Sequence, residues 1–290
     1  MTHSLAGTGI WSGVLRSGEP GETAAAATEL ESLGYSALWI PDTGGDVFGA
    51  VGHLLGATKT ATIATGILNL WMHTAEETAA QHAKLTEKHG PRFLVGIGVS
   101  HAPLIDRKIE PGTYQKPMDR TRAFLDALDA APTPLAVEDR MLAALGPKML
   151  ELAATRTAGV HPYLVTPEHT RAAREAVGPD AIVATEQGVV LEADPERARF
   201  IARTNIANYF GLPNYTNNWR RLGFSDDDIA EGGSDRLVDA LVAWGDEAAI
   251  AARVQEHRDA GASHVCIQVL TESPGTLPLE QWRLLAPVLT

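Results

Sequence analysis

The sequence predicts an α/β protein folded as a (β/α)8 TIM barrel with insertions after strands four and seven. Three observations carry that expectation. A helix, a glycine stop and a strand follow one another in that order at four places along the chain. The strands are near-continuous apolar runs, as strands covered on both faces must be. The length of 290 residues suits one barrel, which takes about 250.

The elements follow in chain order. Gly9-Ile-Trp-Ser-Gly-Val14 reads as strand one. Ala24 to Leu33 is helical, Gly34 can take the left-handed C′ position, and Ser36 to Ile40 is strand two. Thr62 to Asn69 is strand three. Glu76 to His89 passes through Gly90 into Phe93 to Ile97, strand four, and the stretch Leu85 to His101 shows the whole unit most plainly. Met141 to Leu145 is strand five. Lys148 to Thr157 runs through Gly159 into Val160 to Val165, strand six, and Ala181 to Val190 is strand seven. Glu247 to Ala260 and Gly261 lead into His264 to Val269, strand eight. The separations leave room for the crossovers that parallel strands need, with a doubly wound open sheet as the alternative.

No Pro/Ser-rich linker divides the chain, so residues 1–290 read as one domain. Ala102 to Gln115 and Gly211 to Ser234 interrupt the repeat, and inserts of that kind are usually lids or binding loops. Ser225 suits an N-cap within the second.

Composition narrows the function. A net charge of −12 argues against nucleic acid and anionic membrane as partners. No apolar run approaches the roughly 20 residues of a membrane span. Met1 to Gly7 lacks the basic flank and apolar run of an export signal, and the single Cys266 fits a reducing compartment, so a cytoplasmic location is expected. Cys266, on an apolar strand, reads as inert core.

In a barrel the carboxyl ends of the strands carry the chemistry. Polar residues collect there: Trp11 and Ser12, Asp42 and Thr43, Asn69 and His73, Ser100 and His101, Lys148, His161 and Tyr163, Glu186 and Gln187. Each has a structural reading beside the functional one. Asp42 can cap the helix that begins near Val47, and His73 can belong to a capping arrangement with Thr74 and Glu77. His101 reads as packing or backbone support, and His161 before Pro162 as a satisfied core histidine. The Gly96-Ile-Gly98 pair lacks the rest of a dinucleotide fingerprint and fits a strand end that something must approach closely. His73, His101, His161 and Asp42 raise a metal-dependent hydrolase, but no paired-ligand spacing supports a metal. A serine-nucleophile elbow is missing.

Several of these stretches resemble the bacterial luciferase-like superfamily: Glu31 to Pro41, Thr65 to Asn69, Gly90 to His101, Ala158 to Tyr163, and Ala248 to Val265. Within it, the likeness is to oxidoreductases that use the deazaflavin coenzyme F-420. The resemblance implies a ring held at the strands' carboxyl ends, with Trp11 and Asn69 framing it and Asp42 and His73 facing a small-molecule substrate. It implies a bulge and a non-proline cis peptide on strand three, at Gly66–Ile67. It places the cofactor phosphate near Gly98, Val99, Ser100 and His101, with Gly159, Val160 and His161, and Lys148 adding charge. A homodimer is expected on the same ground. The family pattern Asp-His after strand two is Asp42-Thr43 here, and a threonine hydroxyl is no base at neutral pH; His73 is the substitute acid or base. An FMN-dependent monooxygenase of the same fold is the alternative, and a non-catalytic flavin-binding barrel a further one.

Overall fold

The computed structural model describes residues 5–290, so the first four residues of the Met1 to Gly7 stretch lie outside it. Ten strands are present among the described residues: β1 (Thr8–Trp11), β2 (Ala37–Ile40), β3 (Thr62–Thr65), β4 (Leu68–Asn69), β5 (Phe93–Gly98), β6 (Arg140–Leu142), β7 (Gly159–Val160), β8 (Ile182–Leu191), β9 (Val242–Gly245) and β10 (His264–Val269). All pairings are parallel, in the order β10-β1-β2-β3-β5-β6-β7-β8, and β10 pairs back onto β8 to close the ring. β3 and β4 are one strand interrupted by the cis Gly66–Ile67 peptide, so the closed barrel counts eight strands. The predicted TIM barrel is therefore the fold. In a ring of eight, β2 and β7 stand diametrically opposed.

Where the elements differ from expectation, local chemistry explains it. The first strand stops at Trp11 because Ser12 caps a short helix, Gly13–Ser17, its Oγ accepting from the Leu15 N–H at 3.3 Å. The sixth stops at Val160, since Pro162 has no N–H and Leu164 takes a positive φ of 54°. The fifth begins at Arg140 and ends at Leu142. β9 escapes sequence reading: four residues directly after the helix Asp235–Leu241, they pair with the outer end of β8 and take no part in closure. Gly159 is not a helix cap. It lies inside β7, and a Cβ there would stand 1.8 Å from the Ile182 carbonyl oxygen.

The core divides as a barrel's should. Ile10, Leu38, Leu54, Ile63, Phe93, Val95 and Ile267 belong to the main buried layer. Trp39, Ala64, Leu94, Met141, Ala184 and Cys266 form a separate small cluster with Trp11. Cys266 is buried, its Sγ 3.5 Å from the Thr185 carbonyl, and burial pushes the thiol well above its ordinary pKa. The insert after the seventh barrel strand folds into short helices, including Pro213–Arg221, and packs Tyr215, Trp219 and Ile229 into a third cluster.

Candidate functional site

A cavity of about 840 Å³ opens among the loops that follow β1 to β8. Its wall includes Trp11, Asp42, Thr43, Gly66, Ile67, Val99, Ser100, His101, Met149, His161, Tyr163, Tyr209 and Tyr215. Residues anticipated at separate strand ends thus meet around one space.

Asp42 is 6 % exposed and receives three hydrogen bonds. The Gly44 N–H donates to Oδ1 at 3.0 Å; the Asn69 N–H donates to Oδ2 at 3.0 Å, and His73 Nε2 donates to the same oxygen at 3.0 Å. Burial opposes the charge, but these donors outweigh it and hold the carboxyl below its ordinary pKa. For His73 burial also opposes the charge, and the Asp42 carboxylate prevails, with Glu77 helping, to raise the imidazole's pKa. Asp42 is therefore no helix cap. Asp46 caps the helix Val47–Ala57, its Oδ1 accepting from the Gly49 N–H at 2.7 Å. Thr74, rather than His73, caps the helix Ala75–His89.

His73 stands behind Asp42, packed edge-on to Phe48 at 5.3 Å, and is not among the described cavity-lining residues. Asn69 is fully buried and also off the wall: its N–H holds Asp42, and its Oδ1 accepts from the Trp71 N–H. Both residues hold Asp42 through hydrogen bonds to its Oδ2. Arg16 Nη2 donates to the Gly44 carbonyl at 2.8 Å, and Lys108 Nζ to the Thr43 carbonyl, so two cations pin the loop that carries Asp42.

The bulge between β3 and β4 forms another wall. Trp11 Nε1 donates to the Gly66 carbonyl at 3.0 Å, and the Asp42 N–H donates to that of Ile67 at 3.1 Å. The Gly96 and Gly98 pair makes room for this bulge. A Cβ at Gly96 would stand 2.1 Å from the Thr65 carbonyl oxygen, and one at Gly98 would stand 2.6 Å from Ile67 Cγ1. Gly98 is accordingly not among the described wall residues, while Val99, Ser100 and His101 beyond it are.

The inner end of the cavity is aromatic. Trp39 of β2 stacks on His161 across the barrel, with centroids 4.3 Å apart and planes 13° off parallel. His161 Nδ1 donates to the Ala184 carbonyl at 2.8 Å, and its buried Nε2 has no partner. Burial drives its pKa down to about 4, although the Ala184 bond opposes this. The expected satisfied core histidine is thus satisfied on one nitrogen only.

Three tyrosines that strand-end reasoning did not assemble make the remaining wall. Tyr209 Oη donates to Tyr163 Oη at 3.0 Å, which donates to Gln268 Oε1 at 2.8 Å, and Tyr215 packs 4.8 Å from Tyr209. Tyr215 comes from the long insert and Tyr209 from the turn Ala207–Gly211 that leads into it. Asn214 of the insert donates to His101 Nδ1 at 3.2 Å, which ties the insert to the exit of β5. Burial lowers the pKa of His101 against that bond. The aromatic residues Tyr209, Phe210, Tyr215 and Trp219 within eleven positions were the available signal. Glu186 is buried nearby, accepts from the Leu164 N–H at 2.8 Å, and is raised by burial to about 8.

Lys148, Gly159 and Val160 do not meet the described cavity. Lys148 is exposed on the helix Pro147–Arg156, and the other two are barrel wall. Among the described residues no group of three or more His, Cys, Asp or Glu converges as metal ligands would, and no helix is long and apolar enough to cross a membrane.

Comparison with known proteins bears out the luciferase-like resemblance. The model of the luciferase-like monooxygenase family matches residues 1–138. No curated protein matches the sequence. Among solved structures, an F-420-dependent secondary alcohol dehydrogenase in complex with an F-420–acetone adduct is similar with a TM-score of 0.73 at 15% identity, covering 98% of each chain. The coenzyme F-420-dependent tetrahydromethanopterin reductase of Methanopyrus kandleri gives 0.72 at 16% identity, over 99% of each chain. The oxygenating constituent of 3,6-diketocamphane monooxygenase of Pseudomonas putida, in complex with FMN, gives 0.69 at 15% identity, covering 100% of this chain and 98% of the other. At these identities the likeness is one of fold.

Proposed function

We propose that this luciferase-like barrel is an oxidoreductase that moves a hydride between coenzyme F-420 and a small organic substrate. The observation that carries the reading is the Asp42–His73 pair. Hydride addition to a C=X bond leaves one negative charge to be quenched. The pair can exchange one proton, the carboxylate raising the imidazole's pKa and the imidazole lowering the carboxyl's, beside a cavity whose volume of about 840 Å³ suits a ligand of cofactor size.

The residues present suit a flat tricyclic ring. Trp11, Ile67, Met149 and Tyr163 give it apolar and aromatic walls. Gly66 leaves a gap that a Cβ would fill, 2.6 Å from Trp11 Nε1. Val99, Ser100 and His101 border the outer part, and Arg107 on the wall with Lys108 beside Thr43 offers positive charge to an anionic side chain. When bound, the coenzyme supplies the hydride chemistry. For reduction, His73 would pass its Nε2 proton to Asp42, whose carboxyl would donate it to the substrate's oxygen or nitrogen; for oxidation, the Asp42 carboxylate would accept the proton of a substrate hydroxyl or N–H, with His73 behind it. Tyr209 and, from the insert, Tyr215 keep water from the reacting atoms. A small-molecule substrate fits these dimensions, and the homodimer expected by resemblance remains part of the proposal, to be checked by light scattering.

The test is a single-turnover assay with reduced F-420 across ketones, enones, imines and nitro compounds. Cofactor oxidation that depends on one of these classes supports the reading. Oxygen-dependent product formation with reduced FMN, and none with F-420, would replace it with the monooxygenase of the same fold.

A further inference from the structure

We infer that His161 accepts a hydrogen bond from the imide N–H of a flavin- or deazaflavin-type ring at the inner end of the cavity, fixing the ring's depth and edge. This rests on the cofactor reading above and assigns His161 a role opposite to the phosphate contact expected from the sequence.

The argument begins with the tautomer. A backbone carbonyl only accepts, so the 2.8 Å bond between Nδ1 and the Ala184 oxygen places the proton on Nδ1. With the ring neutral, Nε2 bears a lone pair and no hydrogen. Stacking of Trp39 at 4.3 Å, itself fully buried, together with the Ala184 bond, leaves the imidazole no other orientation. Among the described cavity-lining residues, His161 alone carries a buried side-chain nitrogen or oxygen without a partner. An unmet buried acceptor costs free energy that a donor from the cavity would recover.

Position and chemistry then select the donor. Nε2 lies 2.9 Å from the point a Cβ on Gly66 would occupy, so the glycine keeps the approach open. Trp11 Nε1–H, also beside that point, is committed to the Gly66 carbonyl. An ionised phosphate has only acceptors to offer and would face a lone pair with a lone pair. The pyrimidine-dione edge of a flavin or deazaflavin has one N–H between two carbonyls, and that edge is flat enough to enter among Trp11, Gly66 and His161.

The experiment compares lumiflavin with its N3-methyl derivative by fluorescence titration of the full-length protein, alongside FMN and F-420. The methyl group removes the donor and leaves the ring. Wild type is expected to bind the methylated ring about tenfold more weakly, the loss of one hydrogen bond. His161→Leu should bind both rings alike, and His161→Gln, which restores an acceptor oxygen, should recover part of the discrimination. In ¹⁵N-histidine-labelled wild type, the Nε2 resonance should move on ring binding while Nδ1 stays protonated. Equal affinity of wild type for the parent and methylated rings, with FMN or F-420 bound, overturns the assignment alone. Failure of wild type to bind any of the four overturns the cofactor reading and the assignment with it.

Discussion

The Nε2 of His73 lies 3.0 Å from Oδ2 of Asp42, although 31 positions separate them and they follow different strands. Thr43 stands where an adjacent histidine would complete the Asp-His pattern. The carboxylate finds its imidazole in space instead, from the loop after β4. One partner faces the cavity and the other is held behind it.

Removing the carboxylate's charge tests that division. Asp42→Asn keeps the volume but cannot take or relay a proton, so kcat is expected to fall by about 10²–10⁴. His73→Gln, which removes the imidazole behind Asp42 and leaves the carboxylate on the cavity wall, should lower kcat less and leave KM within a few-fold. Steady-state kinetics of both variants, with circular dichroism to confirm folding, checks the order of the two effects.

The pH profile follows from the direction of the His73 shift. Its pKa is raised above the ordinary 6.5 by the Asp42 carboxylate, so the stored proton persists through that pH and is lost as pH rises further. Reduction should be full at acidic pH, stay high through pH 6.5 and decline as pH rises through the raised His73 value. In His73→Gln that alkaline limb should vanish. A limb that survives the substitution would belong to another group.

In the hydroxyl chain from Tyr209 through Tyr163 to Gln268, Tyr209 donates its proton to Tyr163 and lines the cavity, so its hydroxyl is left as an acceptor. A substrate hydroxyl or N–H can donate to it. Tyr209→Phe should therefore raise KM for donor-bearing substrates by about tenfold with kcat little changed. Substrates without a donor should show no change, which a paired panel measures directly.

Gly98 has no room for a side chain, since its Cβ would stand 2.6 Å from Ile67 Cγ1 and 3.2 Å from the Ala143 Cβ. Gly98→Ala should cost about 1–3 kcal/mol in stability through overpacking. It should also weaken ring binding, because Ile67 must shift into the cavity to accommodate it. Chemical denaturation and cofactor titration read the two effects separately.

Much of the barrel was legible because its punctuation is local. Gly34, Gly90 and Gly261 take positive φ after their helices as expected, and each of the eight apolar runs overlaps a barrel strand, the first cut short after Trp11, the fifth after Leu142 and the sixth after Val160. β9 was not legible, because Val242 to Gly245 continues a helical pattern and only its pairing with β8 makes it a strand. For the cavity, residue type at strand ends pointed to Trp11, Asp42 and His101. It could not say which side chains turn outward to the space and which turn back. Asn69, His73 and Gly98 hold wall residues in place; Lys148 projects away from them. Tyr215 of the tyrosine wall comes from an insert whose path is set by packing around Trp219, a long-range fact that no local pattern encodes.

The central claim meets its most direct test in equilibrium titration of the purified protein with F-420 and, separately, with FMN, followed by absorbance and fluorescence. The account predicts saturable one-to-one binding of F-420, much weaker binding of FMN, and an intact F-420 isotherm in Asp42→Asn. Tight binding of FMN with no binding of F-420 would contradict it.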